Sequence, residues 1–180
     1  MEVIKTEISG LLIIKPKIFE DSRGYFYESY NKEVFREAGI DLEFVQDNQS
    51  LSSKGVLRGL HFQNPPYGQG KLIRVLSGSV LDVAVDIRKD SPTYGKWVSA
   101  ELSAANKLMF WIPPGFAHGF VTLEDNTTFF YKCTEFYNSE SEGGILWNDP
   151  ELNIDWEITD PLLSEKDKIC PLFRKLESEF

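Results

Sequence analysis

The segment "VLRGLHFQ", residues 56–63, sets an arginine, a glycine and a histidine into an apolar stretch with strand character. The chain has only two histidines, His61 and His118, the second within "PPGFAHGF". A histidine beside apolar residues is compatible with core structure, metal ligation or proton transfer. Iron held by two histidines and a carboxylate would use both histidines with no spare, and the chain has no H-x-H spacing. Neither cysteine has a CxxC partner that would suggest zinc. There is no G-x-S-x-G for a nucleophilic serine, and no Walker A or G-x-G-x-x-G for a nucleotide loop. The chemistry these residue types still allow is proton transfer: a histidine base, a tyrosine acid and a lysine to hold developing negative charge.

Strand alternation indicates which polar groups share a face with core residues. Lys71 lies with Ile73 and Val75, Tyr131 with Phe129, Cys133 and Tyr137, His118 with Phe120, and His61 has the parity of Leu57. If those faces line one barrel, a lysine, two histidines and a tyrosine converge on a single cavity. Lysine is rarely buried without a partner, so the convergence is informative. Taken singly, each residue has a structural explanation. Either histidine is a satisfied core residue, Tyr131 a core aromatic, Lys71 a snorkelling strand end, Asp167 a helix cap, and Arg23 and Arg58 surface charges. Arg58 and His61 are three residues apart and would face opposite ways on a regular strand. We therefore expect Gly59 to permit a bulge or bend that brings both to one side.

The elements that must position these groups are mostly strands. "LDVAVDI" places Leu81, Val83, Val85 and Ile87 on one face and Asp82, Ala84 and Asp86 on the other. With "KLIRVL" and the turn "SGS" before it, residues 71–87 read as a hairpin. "TTFFYKCTEFY" reads as an aromatic- and threonine-rich strand running through Tyr137. Helical signals are few. Asn31 and Gly39 bracket about two turns, and Ser164 with Asp167 has capping-box spacing at the start of a C-terminal helical segment that Pro171 limits. Many short strands between Gly/Pro turns predict an all-β sandwich, jelly roll or barrel.

The chain has 180 residues, one domain's length, and no repeat or linker divides it. No apolar run reaches the 18 or so residues of a membrane span, and the N-terminus lacks a signal-peptide pattern. Two cysteines suggest no disulfide framework and fit a reducing cytoplasm. The net charge of −9 disfavours nucleic acid and anionic lipid as partners. An anionic ligand would need a local cluster of arginine and lysine.

Six segments, "DSRGYFYESY", "FVQDNQSLSSKGVLRGLHFQ", "GKLIRVLSGSVLDVAVDIRKDSPTYGKW", "WIPPGFAHGF", "YKCTEFYNSESEGGILWNDP" and "LLSEKD", run through nearly the whole chain. Together they resemble the dTDP-4-dehydrorhamnose 3,5-epimerase family. The resemblance implies a cupin-type jelly roll spanning residues 1–180, a homodimer, and no metal or organic cofactor. It implies inversion of the 3- and 5-positions of dTDP-4-dehydro-6-deoxy-D-glucose. In this reading His61 is the general base, Tyr131 the general acid, Lys71 the stabiliser of the enolate oxygen, and Asp167 the carboxylate that orients His61. Arg23, Phe26, Glu28, Gln46, Asp47, Asn48, Arg58, Lys71, His118, Glu142 and Lys166 would hold the sugar and diphosphate. Tyr137 would stack on thymine, and residues near Arg23 would reach the neighbouring subunit's site. The alternatives are an epimerase acting at one carbon, a metal-dependent cupin oxygenase, and a silent sugar-binding module.

Overall fold

The computed structural model describes residues 1–180. The strands in chain order are β1 (Glu2–Lys5), β2 (Leu12–Lys15), β3 (Phe19–Asp21), β4 (Gly24–Phe26), β5 (Gln46–Ser52), β6 (Leu57–Gln63) and β7 (Lys71–Ser77). They continue as β8 (Ser79–Asp86), β9 (Trp97–Ser103), β10 (Met109–Ile112), β11 (Phe116–Thr122), β12 (Thr127–Cys133) and β13 (Glu142–Gly144). One sheet has the order β1-β2-β10-β7-β12-β5 and the other β13-β6-β11-β8-β9, while β3 and β4 pair as a separate hairpin. All pairings within these sheets are antiparallel. The result is the predicted all-β jelly roll.

The hairpin expected over residues 71–87 does not form, because β7 and β8 belong to opposite sheets. Gly78, at φ +73°, turns the chain between them, and a Cβ there would collide with Thr127. The turn signal was correct, but each strand pairs with partners distant in sequence. The strand expected to run through Tyr137 stops at Cys133. Thr134 instead exchanges two hydrogen bonds with Gly70, its N–H to the Gly70 carbonyl and its Oγ1 from the Gly70 N–H. That closes the sheet edge and frees the following residues to loop.

Apolar side chains fill three layers. Ile73, Val75, Val80, Ala84, Phe110, Phe120 and Phe129 pack between the sheets. Leu57, Leu60, Phe62, Val83, Val85 and Trp156 lie on the outer side of the five-stranded sheet. On the outer side of the six-stranded sheet, Ile14, Leu72, Met109 and Trp111 meet Phe35 of helix α1 (Lys32–Glu37). Asn31 caps that helix by accepting from the N–H groups of Glu33 and Val34. Because β8 is covered on both sides, every one of its residues is buried. This leaves two aspartates inside it.

Candidate active site

A cavity of about 590 Å³ lies between the sheets. Arg58, His61, His118 and Phe120 line it from the five-stranded sheet, and Asn48, Lys71, Phe129 and Tyr131 from the six-stranded one. Ser164, Lys166 and Asp167 close it from the C-terminal segment. The histidine and tyrosine thus stand on facing walls.

The bulge expected at Gly59 is present. His61 pairs with His118 and Arg58 with Phe120, so three steps along β6 match two along β11. Gly59 has φ +119°, and a Cβ there would lie 2.6 Å from both the Gly119 Cα and the His118 carbonyl oxygen. Only glycine suits that backbone angle and that approach. The bulge puts Arg58 and His61 together on the cavity wall and corrects the parity expected for His61. Leu57 joins Leu60 and Phe62 in the outer apolar layer.

The C-terminal segment is fastened to the start of β6. Leu57 donates its N–H to the Leu162 carbonyl at 3.0 Å, and Leu162 donates to Gly55 at 2.8 Å. Just beyond, Ser164 caps helix α2 (Glu165–Lys168), its Oγ accepting from the Asp167 N–H at 3.1 Å. The same hydroxyl donates to Asp167 Oδ2 at 2.8 Å. Asp167 Oδ1 lies 2.6 Å from His61 Nε2. Burial pushes the Asp167 carboxyl upward, but hydrogen bonds from His61 and Ser164 together hold it below the ordinary range. An ionised Asp167 accepts a hydrogen bond from His61 Nε2–H, which leaves Nδ1 as the ring nitrogen not engaged by Asp167.

On the opposite wall, burial lifts the Tyr131 phenol to about 12, with Cys133 adding to the rise and Asn48 and Arg58 opposing it. Tyr131 is therefore a protonated phenol at neutral pH. Burial lowers the Lys71 ammonium, partly offset by Cys133, Asp82 and Glu142. Three basic side chains line the cavity, Arg58, Lys71 and Lys166, against one lining carboxylate, Asp167. This acidic chain thus concentrates positive charge in its cavity.

At the rim, Glu142 Oε2 accepts from Lys166 Nζ at 2.6 Å and from Tyr137 Oη at 2.9 Å. Gln46 is tied to this group, donating to Asn48 Oδ1 and accepting from the Tyr137 N–H. Tyr137 is 57% exposed, so its ring is available to a ligand. Asp47 does not join the site. Alternation along β5 turns it to the outer face, where it pairs with Lys132 Nζ at 2.7 Å. Arg23, Phe26 and Glu28 also lie apart from the cavity. Arg23 pairs with Asp21, Glu28 accepts from Asn31, and Phe26 is 69% exposed.

Sequence reading missed Asp82 as a site residue. It is fully buried, and its two oxygens lie 3.0 and 3.1 Å from His118 Nε2. The available signal was a carboxylate sharing the face of Val80 and Ala84 in a strand otherwise suited to double burial.

The profile of the dTDP-4-dehydrorhamnose 3,5-epimerase family matches residues 5–175. The Shigella flexneri protein of that name is 60% identical over 168 residues, covering 93% of both chains. The Legionella pneumophila dTDP-6-deoxy-D-glucose-3,5-epimerase, solved in complex with dTDP-4-keto-L-rhamnose, superposes with a TM-score of 0.94 at 52% identity, covering 98% of this chain and 94% of that one. A 3'-monoepimerase from Streptomyces bikiniensis, solved with dTDP-quinovose, gives a TM-score of 0.88 at 35% identity, covering 93% and 85%. With a histidine–aspartate pair, a tyrosine and a lysine gathered in one cavity and these matches across nearly the whole length, this chain is an enzyme of the dTDP-4-dehydrorhamnose 3,5-epimerase family.

Proposed function

We propose that the cavity inverts the 3- and 5-positions of dTDP-4-dehydro-6-deoxy-D-glucose, giving dTDP-4-dehydro-L-rhamnose. The observation that carries this reading is the His61–Asp167 pair on one wall with Tyr131 on the wall facing it. Both carbons are α to the 4-ketone, so each C–H becomes acidic only while the enolate is stabilised. His61 Nδ1 removes the proton, and Asp167 steadies the imidazolium that forms. Lys71, whose ammonium has no ion-pair partner within the chain, holds the enolate oxygen. Tyr131 returns a proton to the opposite face of the carbon, and this completes the inversion. Solvent then resets the imidazolium and phenolate before the second centre reacts. Each positioned acid or base contributes about 10²–10⁴-fold, and a preorganised oxyanion donor roughly 3–4 kcal/mol.

Arg58 and Lys166 take the diphosphate through charge-assisted hydrogen bonds. Gln46, Asn48, His118 and Glu142 hold the sugar and the rim, and Tyr137 stacks on thymine. All the groups the proposed reaction needs are side chains, so this reading calls for no metal or organic cofactor, and the free cysteines Cys133 and Cys170 fit a reducing cytoplasm. Residues 1–180 act as one domain, a reading supported by the C-terminal segment that carries Asp167 back to β6.

We further propose a homodimer in which Arg23, Phe26 and Glu28 complete the neighbouring subunit's site. The support is the exposure of Phe19, Tyr25 and Phe26 on the β3–β4 hairpin, 54%, 58% and 69%. Mixing Arg23→Ala protein with His61→Ala protein should regain activity that neither has alone. No recovery after subunit exchange would sink the shared site.

Proton NMR of the reaction in D₂O tests the chemistry. The wild-type product should carry deuterium at both positions, whereas label at a single position would make the enzyme a monoepimerase and no label a binding module. His61→Ala should abolish both exchanges. Tyr131→Phe should slow inversion more than exchange, and equal loss of both would refute separate base and acid roles.

A further inference from the structure

Both histidines that line the cavity pair with a carboxylate, Asp82 from behind its wall, and the proton transfer uses only one of the two pairs. His61 and His118 are cross-strand partners on β6 and β11, and each directs Nε2 to a different aspartate. Asp167 comes from the C-terminal segment at the cavity's rim, while Asp82 comes from β8, inside the barrel, and is fully buried. Of the carboxylates around the cavity, Asp167 is shared by His61 and Ser164, and Glu142 by Lys166 and Tyr137. The Asp82 carboxylate has His118 as its only hydrogen-bond partner.

The His118 ring lies nearly parallel to Phe129, interplanar angle 16°, and within 29° of Phe120. It is 6% exposed and lines the cavity. The ring stands beside the stacked Phe120 and Phe129 pair, its centroid 6.3 and 6.1 Å from theirs, and with Nε2 on Asp82 it has one polar atom left, Nδ1. Nδ1 makes no hydrogen bond within the chain, yet no sealed side-chain nitrogen or oxygen lacks a partner, so Nδ1 opens on the cavity. We infer that Asp82 is a positioning residue: by accepting a hydrogen bond from His118 Nε2–H it fixes the tautomer whose bare Nδ1 accepts a hydrogen bond from a hydroxyl of the bound sugar.

The surroundings favour this arrangement. Burial holds His118 below the ordinary histidine range, against the pull of Asp82, so the ring presents a lone pair at Nδ1. At Asp82 burial acts against the carboxylate and prevails on balance, while the His118 hydrogen bond and the Lys71 charge across the cavity pull toward the ionised form that accepts from Nε2. A histidine tied to backbone in the same place could adopt either tautomer. A carboxylate accepts only, and so it selects one.

This inference rests on the reading of the cavity as the sugar site, and the test separates the two. The variants are His118→Asn, Asp82→Asn and the double variant, each assayed for turnover and KM with dTDP-4-dehydro-6-deoxy-glucose and checked for folding by thermal denaturation. We expect His118→Asn and Asp82→Asn each to lower kcat/KM by 10- to 100-fold, and the double variant to fall no further than His118→Asn alone. In ¹⁵N spectra the wild-type His118 should show a protonated Nε2 and a bare Nδ1, and Asp82→Asn should lose that preference. If His118→Asn leaves kcat/KM unchanged, the sugar-site reading of His118 is wrong. If it lowers kcat/KM while Asp82→Asn does not, the positioning role alone is wrong. Multiplying losses in the double variant, or an unaltered ¹⁵N pattern in Asp82→Asn, would also overturn it. Should Asp82→Asn fail to fold, Asp82→Glu is read in the converse sense: it keeps a carboxylate on Nε2 and should retain the tautomer and with it kcat/KM, and a lost ¹⁵N preference with kcat/KM intact would overturn the role.

Discussion

Asp82 and Asp86 stand on the same strand and the same face, both fully buried, yet they do opposite things. Asp86 is saturated, accepting from Arg88 through its backbone N–H, Nε and Nη2 and from the hydroxyls of Ser91 and Thr93. Burial alone would raise its pKa, but those bonds bring the carboxyl down to about 2. Asp82 has one histidine, and burial prevails there, lifting its carboxyl above the ordinary range. A buried carboxylate with every lone pair filled by nearby chain is an anchor, here for the turn after β8. One left short of partners beside a cavity has capacity in reserve for function. Asp167 falls between them, bound to the helix-capping Ser164 on one side and to His61 on the other.

The contrast can be broken in two ways, the larger first. Asp86→Ala leaves Arg88, Ser91 and Thr93 without their common acceptor and should lower unfolding free energy by roughly 3 kcal/mol, with turnover per folded molecule unchanged. Asp82→Asn should do the reverse, and denaturant titration beside steady-state assays separates them. A stability loss in Asp82→Asn as large as in Asp86→Ala would erase the distinction. The smaller effect is in pH. The folded Asp86 carboxyl is depressed from 3.8 to about 2, so its stabilisation is present above pH 4 and is lost as pH falls through that interval, about 2 kcal/mol in all. The raised Asp82 has the opposite sign, its contribution present below the ordinary carboxyl pKa and lost as pH rises. Acid unfolding should therefore be steeper in wild type than in Asp86→Asn between pH 4 and 2. Identical slopes would show that Asp86 is not the group titrating.

Much of the site was legible because it lies on regular strands. Lys71 with Ile73, and Tyr131 with Phe129, follow the two-residue period, and both strands hold that period in the fold. The Gly59 bulge was legible because two chemically useful residues at the wrong spacing flank a glycine. Asp47 was misplaced because it was grouped with its neighbours, whereas alternation sends it to the outer face with Lys132. Asp82 was missed because period-2 patterning separates two faces without telling which is inside when both are buried. The 71–87 hairpin failed for a related reason: a turn fixes where the chain reverses, not which strand becomes its partner.

By itself, the order of residues determined the strand-rich class, the turns, the helix caps and the set of side chains able to move protons, since each depends on local sterics and two-residue periodicity. Only the tertiary structure decided that His61 meets a carboxylate 106 positions away, that Tyr131 faces it from the other sheet, and that Asp82 stands behind His118. Those contacts form when two sheets close over a common apolar layer. That closure is a property of the whole chain, and no local stretch encodes it.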